Sequence, residues 1–222
     1  VLSPCAFFIR SILVRSKVRS YPAALRRTEL SMESLPPIGH RIVRLGTVES
    51  TNMTAAGLVR LSQAAHGTIV LAREQTAGRG QRGRSWSSSP GLDLTLSIVI
   101  DPRELRADGQ FVLSKLAALA VHDTVRAFVP QDVRVKWPND VLLNEGKLSG
   151  ILLESGPDGG LVIGIGVNLR AAPPADPEAL FPPVSLRGET GLIVSPEALL
   201  HHLAPAYARW EARFRTWGFG PV

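Results

Sequence analysis

The sequence predicts an α+β domain in which a mixed, largely antiparallel sheet is covered by helices. Strand-like segments outnumber helical ones, and several neighbouring strands are joined by tight turns where a parallel sheet would need crossover helices. A third observation excludes the main competitor. The segment GRGQRGRSW, residues 78–86, matches the dinucleotide-binding pattern G-x-G-x-x-G at Gly78, Gly80 and Gly83. It runs on into Ser85-Trp86-Ser87-Ser88-Ser89-Pro90-Gly91, which is no helix start. A Rossmann glycine turn opens directly into a helix whose N-terminus faces the pyrophosphate, so that fold is set aside.

Taken in order, RIVRLGTV (41–48) is predicted as the first strand. Glu49-Ser50-Thr51-Asn52 supplies a polar junction, with Ser50 or Thr51 expected to cap the helix NMTAAGLVRLSQAA. Gly67 should end that helix, and TIVLARE (68–74) is a β-branched strand. LDLTLSIVI (92–100) alternates as a strand, and QFVLSKLAALAVHDTVRAFV (110–129) has amphipathic helical spacing. DVRVKW (132–137) is a strand halted by Pro138. VLLN (141–144), a turn at Glu145-Gly146 and KLSGILLES (147–155) form a hairpin, followed by the strand LVIGIGVNL (161–169). The proline-rich AAPPADPEALFPP (171–183) is expected to cross the surface. A last helix starts at Ser195-Pro196, serine as cap and proline in the first turn, and runs to about Trp217. On it, Trp210, Phe214 and Trp217 fall at core spacing, and the adjacent His201 and His202 read as solvated or packed.

A chain of 222 residues suits one substantial domain. Its single cysteine, Cys5, excludes an intrachain disulfide framework. The net charge of +6 suggests nucleic acid until its position is considered. Arg10, Arg15, Lys17, Arg19, Arg26 and Arg27 stand against Glu29 alone in the first 30 residues, leaving the rest nearly neutral. No DNA partner is expected, and no apolar run is long enough to span a membrane. Residues 1–38 are read as a basic, disordered tail, or as an organellar transit peptide. Residues 39–219 are the expected folded domain. Cytoplasmic residence is expected, with organellar import if the tail is a true transit peptide.

The loop at 78–86 carries the first functional signal. Glycines let backbone N–H groups approach a ligand, Arg79, Arg82 and Arg84 bring fixed positive charge, and Trp86 offers a flat face for a purine. Such a loop suits a nucleotide enclosed during reaction, although taken alone it reads equally as a solvated glycine loop. Two further stretches decide between these: KWPND (136–140), with Lys147 seven residues beyond its aspartate, and GIGVNL (164–169). With ESTN (49–52) and REQTAGRGQRGRSW (73–86), they resemble the biotin protein ligase family over residues 40–217.

That resemblance implies the class II aminoacyl-tRNA-synthetase-like catalytic domain shared by biotin and lipoate ligases. It implies activation of biotin by ATP to biotinyl-5'-adenylate, then transfer to a lysine of a carboxylase's biotin carboxyl carrier domain, with Mg2+ accompanying ATP. By similarity Ser50, Thr51 and Gln75, with Asn52 beside them, hold the ureido head of biotin. Arg79, Gly80 and Gln81 close over the ligand, and Arg82 and Arg84 add charge toward the nucleotide. Lys147 lies between the biotin carboxylate and the α-phosphate, with Arg79 and Asp140 as the other catalytic candidates. From pattern alone, Lys147 could be an exposed strand lysine and Asp140 a turn aspartate. Trp86, Asn139 and Asn168 contact the adenylate, Lys136 adds charge near the phosphates, and Gly150, Gly164 and Gly166 permit close approach of backbone to biotin. Gln81 departs from the arginine of many relatives. Some relatives carry an N-terminal helix-turn-helix domain and many a small C-terminal β-barrel; neither is expected here. Homodimerisation is left open. The alternatives are a lipoate ligase or octanoyltransferase, and a non-catalytic biotin-binding module.

Overall fold

In the computed structural model, residues 35–101, 111–156, 160–175 and 179–217 are described. They contain β1 (Arg41–Val48), α1 (Thr51–Arg60), β2 (Thr68–Gln75), β3 (Leu94–Ile100), α2 (Phe111–Phe128), β4 (Val133–Lys136), β5 (Asp140–Leu143), β6 (Gly146–Ser155), β7 (Leu161–Val167), α3 (Leu186–Thr190) and α4 (Pro196–Trp217). The seven strands make one sheet in the order β1-β2-β3-β7-β6-β5-β4. Only β1 and β2 pair in parallel; the other five pairings are antiparallel. The mixed, largely antiparallel sheet expected from the tight turns is what forms.

The sheet is covered on both faces. Leu94, Leu96, Ile98 and Ile100 of β3 and Leu161, Ile163 and Ile165 of β7 point to one side. There they meet Leu116, Val121 and Val125 of α2 and Leu199, Leu203 and Tyr207 of α4, all buried. At roughly 1.5–3 kcal/mol per fully buried large apolar side chain, this cluster dominates the stability of the fold. The other face holds a smaller cluster, Ala55 of α1 over Val70, Val99 and Val162. Because α1 is only ten residues long, it covers part of this face. The sheet beyond it is left for the site.

Several boundaries differ from expectation. The helix α1 stops at Arg60, with Leu61 as its C-cap and Ser62 in a left-handed conformation (φ 56°). Gly67 instead introduces β2: at φ 80°, a side chain there would strike the Pro37 carbonyl. Ser50 is the N-cap residue, yet its side chain makes no capping bond. The β5–β6 turn falls at Asn144-Glu145, one residue earlier than predicted, because Asn144 tolerates the left-handed geometry (φ 52°). Ser195 caps α4 as expected, accepting from Ala198 N at 3.2 Å.

The segment 171–183 does not simply cross the surface. Lys147 N donates to Pro182 O at 2.8 Å and Val184 N to Lys147 O at 3.0 Å, so its end pairs with the backbone of β6. Proline lacks a donor but keeps its carbonyl, and an edge position asks no more of it. The short helix α3 follows, capped by Ser185, which accepts from Gly188 N at 3.1 Å. His202 packs edge-on against Phe128, while Trp210 and Phe214 reach the main core. The Trp217 side chain lies outside the described residues, as do 1–34 and Cys5.

Candidate active site

One irregularity in β6 builds the site. Val141 of β5 pairs with Ser149 while Leu142 pairs with Lys147, leaving Leu148 unopposed in a β-bulge. Counting back by twos from the core residue Ile151, a regular strand would send Ser149 and Lys147 into the core. Ser149 does lie buried there, opposite Val141 and Val167, but the bulge adds Leu148 to the core side and turns Lys147 onto the face shared by Gly150, Leu152 and Glu154.

On that face the sheet register lays out two rows. Lys136, Asp140, Gly150, Gly166 and Thr95 stand opposite one another across five strands. Leu152, Gly164, Ser97 and Val70 form the next. The glycines leave hollows that other residues fill. The Trp86 indole lies over Gly150 and Gly166, where a Cβ at Gly166 would clash with the ring. Asn52 covers Gly164, and a Cβ there would stand 2.6 Å from its Oδ1. The room that the sequence reading reserved for biotin over these glycines is thus taken by protein side chains in this structure.

Above the rows folds the loop 78–86, which is an ordered hairpin. Arg79 and Ser85 bridge, Trp86 N donates to Gly78 O at 2.8 Å, and Gly80 N to Arg84 O at 2.6 Å. Gln81–Gly83 form a 3-10 turn with Arg82 at φ 56° and Gly83 at φ 76°. Arg82 and Arg84 are exposed. The Arg79 guanidinium reaches across to Glu154, Nη2 to Oε2 2.9 Å. Sequence reasoning assigned Glu154 nothing, though its place two residues beyond Leu152 on the same strand face was there to read.

Two clusters of charge and polarity result. At one end Asp140, buried, accepts from three donors: Lys136 Nζ at 2.9 Å, Lys147 Nζ at 2.9 Å and the Asn139 amide at 3.0 Å. The Lys147 ammonium also sits 5.9 Å from the centre of the Trp86 ring, on which the cation–π attraction acts. At the other end Thr51 N donates to Gln75 Oε1 at 2.7 Å, and Asn52 Nδ2 donates to Glu154 Oε2 at 2.6 Å. Ser97 Oγ lies between Thr51 Oγ1 (2.7 Å) and Asn52 Oδ1 (2.6 Å). Ser50, Thr51 and Asn52 are all buried, carried there by the first turn of α1.

A cleft of about 350 Å³ joins the two clusters, in the range of small-molecule sites. Every sequence-predicted site residue lines it except Asn168. Asn168 borders an adjoining cavity that shares Trp86, Lys136 and Lys147 with the first and is closed by Leu180, Phe181 and Pro183. Its Nδ2 donates to Val184 O at 3.0 Å, while its buried Oδ1 and the buried Trp86 Nε1 have no partner among the described residues. Phe181, unforeseen from sequence, holds its ring 5.7 Å from Lys136 Nζ. Asp93, also unforeseen, accepts from Ser89 N at 2.7 Å and Leu169 N at 2.7 Å, tying the segment that follows the loop to the chain just beyond β7.

The arrangement supplies three things. It has a narrow polar pocket for a neutral head group, two ammonium groups on one carboxylate at its mouth, and a neighbouring cavity with an aromatic face. Such a site can hold two anions together against their repulsion.

Comparison with known proteins agrees with that geometry. Residues 45–169 match the biotin/lipoate A/B protein ligase family. A biotin–[acetyl-CoA-carboxylase] ligase of Paracoccus denitrificans is 46% identical over 182 residues, covering 78% of this chain and 75% of the relative. The bifunctional ligase/repressor BirA of Bacillus subtilis is 30% identical over 190 residues, covering 83% of this chain and 58% of that protein. Among solved structures, the biotin protein ligase of Aquifex aeolicus in complex with biotin and ATP superposes with a TM-score of 0.71 at 27% identity, over 81% of this chain and 74% of that one. The Leishmania major biotin protein ligase in complex with biotinyl-5-AMP gives a TM-score of 0.66 at 27% identity, over 76% and 74%.

Proposed function

The chain belongs to the biotin/lipoate A/B protein ligase family, and from that premise we propose that it activates biotin with ATP and transfers it to a lysine of a biotin carboxyl carrier domain. The catalytic domain is taken as residues 39–219. The observation that carries the reading is the bulge-directed Lys147, held with Lys136 on Asp140 where the head-group pocket meets the aromatic cavity.

In the first half-reaction a biotin carboxylate oxygen attacks the α-phosphorus of ATP, and pyrophosphate leaves with the electrons of the broken P–O bond. The incoming carboxylate and the triphosphate repel one another, and charge builds on the phosphoryl oxygens as the bond forms. Lys147 is proposed to lie between carboxylate and α-phosphate, with Arg79, Arg82 and Arg84 on the loop supplying further charge. Asp140 is the positioning group: it fixes both ammonium groups before substrate arrives, so little reorganisation is needed at reaction. In the second half-reaction the acceptor amine, having shed a proton, attacks the acyl carbon and AMP leaves. Asp140, at the mouth of the cleft, is the proposed hydrogen-bond acceptor for that amine.

Thr51 and Gln75 are proposed to bind the ureido ring, with Ser50 beside them. The unpartnered Asn168 Oδ1 and Trp86 Nε1, an acceptor and a donor, suit the polar edge of a purine, and Asn139, which lines the first cleft with Trp86, is proposed as a further contact to the adenylate. Among the described residues no three His, Cys, Asp or Glu side chains converge to hold a metal. Mg2+ would accompany the triphosphate of bound ATP and neutralise part of its charge. A cytoplasmic setting accompanies this reading; no described helix is long and apolar enough to cross a membrane.

The test is biotin-dependent exchange of labelled pyrophosphate into ATP. Exchange with biotin supports the proposal; exchange with lipoate in its place would redirect it to the other branch of the family.

A further inference from the structure

Five polar residues form one connected chain along the pocket wall: Glu154, Asn52, Ser97, Thr51 and Gln75. At one end Asn52 Nδ2 faces Glu154 Oε2 at 2.6 Å and Leu152 O at 3.4 Å. Both neighbours only accept, so the atom they contact is the amide nitrogen, and the Asn52 oxygen faces Ser97. At the other end the Thr51 backbone N–H meets Gln75 at 2.7 Å, which fixes that atom as the amide oxygen. Two hydroxyls stand between these two oxygens, making three contacts. Asn52 Oδ1 to Ser97 Oγ is 2.6 Å, Ser97 Oγ to Thr51 Oγ1 is 2.7 Å, and Thr51 Oγ1 to Gln75 Oε1 is 3.0 Å.

Each hydroxyl carries one proton, and two protons cannot serve three contacts. A buried oxygen pair at 2.6 Å without a proton between is strongly repulsive, and only Ser97 can supply one to Asn52. The next contact then requires the Thr51 proton. We infer that Ser97 is a positioning residue that draws the Thr51 proton inward, leaving the longest contact, Thr51 to Gln75, without one. The pocket wall therefore presents two adjacent acceptors, Thr51 Oγ1 and Gln75 Oε1. They call for an N–H from the ligand and reject an oxygen in its place, because a site built to receive a donor is left with facing lone pairs when the donor is missing. Ser97 has 0% exposure and stands behind the wall, so it acts through Thr51. Glu154 contributes by orienting Asn52.

This inference rests on the biotin reading, whose ureido ring brings two N–H groups. It is tested by calorimetric Kd values of the full chain for biotin and for a cyclic-carbonate analogue in which both ureido N–H groups are oxygens. Wild-type protein is expected to prefer biotin. Ser97→Ala, with its cooperative melting retained, is expected to lower that preference by about tenfold, since Thr51 is then free to turn its proton outward. Ser97→Thr, which keeps the hydroxyl, should restore it. A merely structural Ser97 would weaken both ligands equally. Should Ser97→Ala not fold, Ser97→Cys keeps the volume with a weaker donor and carries the same expectation. An unchanged preference in either folded variant, or equal binding of both rings by wild type, overturns the inference alone. Wild-type protein that binds neither ring overturns the biotin reading and this inference with it.

Discussion

Lys147 Nζ lies 2.9 Å from Asp140 Oδ1, on the face of the sheet opposite to the one that regular alternation along β6 would give it. The unopposed Leu148 makes the difference. One residue out of register thus converts a lysine that would be buried in the core into one that faces the cleft.

Lys147→Ala should therefore cut single-turnover formation of the adenylate by about 10²-fold or more, the scale of removing one preorganised charge-stabilising group. Rapid quench with labelled ATP and biotin measures it. A near-normal rate would show that Lys147 is not positioned at the reacting atoms.

Gly166→Ala should weaken binding of both substrates, because the new methyl would occupy the place of the Trp86 ring. A fall in affinity of about tenfold or more is expected from the displaced indole. Calorimetry measures it, and unchanged binding would mean that Trp86 lies elsewhere when ligand is present.

Arg79→Ala should leave the melting temperature nearly unchanged while raising the Kd for biotin and ATP. The Arg79 and Glu154 side chains are 44% and 31% exposed, and ion pairs of that kind contribute little to stability. A large loss of stability would make the pair structural.

Away from the site, Glu211 touches buried His66, Nε2 to Oε2 3.4 Å, and Arg215 at 3.1 Å. Burial pushes its carboxyl up, but the His66 hydrogen bond and the neighbouring charges outweigh that and hold it below the ordinary 4.5. A carboxyl lowered on folding stabilises above its unfolded value, and the stabilisation is lost as pH falls through the folded one. Denaturant titrations should show wild type ahead of Glu211→Gln at pH 7, with the gap closing below pH 4.5. A gap that widens on acidification would contradict the assignment.

Most strands were legible because their apolar alternation and turn residues agree, as at β1, whose limits match the reading. What escaped was tertiary. Apolar spacing carries the predicted helix on to Ala65, yet Ser62 takes a left-handed turn that spacing does not reveal. The bulge at Leu148 was invisible because regular alternation in KLSGILLES puts two large apolar residues on each face, Ile151 and Leu153 or Leu148 and Leu152, so neither face is marked as the core side. Loop and strand motifs named nearly all the residues that line the cleft. Ser97 and Glu154 were missed because each looks like an ordinary strand residue until the sheet register brings it beside Asn52. Phe181 was missed because a proline-rich run gives no sign of which strand it will border.

Ammonium groups fixed by Asp140 are proposed to hold two repelling acids together while they join, before the product passes to a carrier lysine. Incubating the chain with biotin, Mg2+-ATP and a biotin carboxyl carrier domain, then weighing the carrier by mass spectrometry, tests it most directly. The carrier is expected to gain the mass of one biotin, a gain lost when the acceptor lysine is replaced. A carrier of unaltered mass, with the ligase folded and all substrates present, would contradict it.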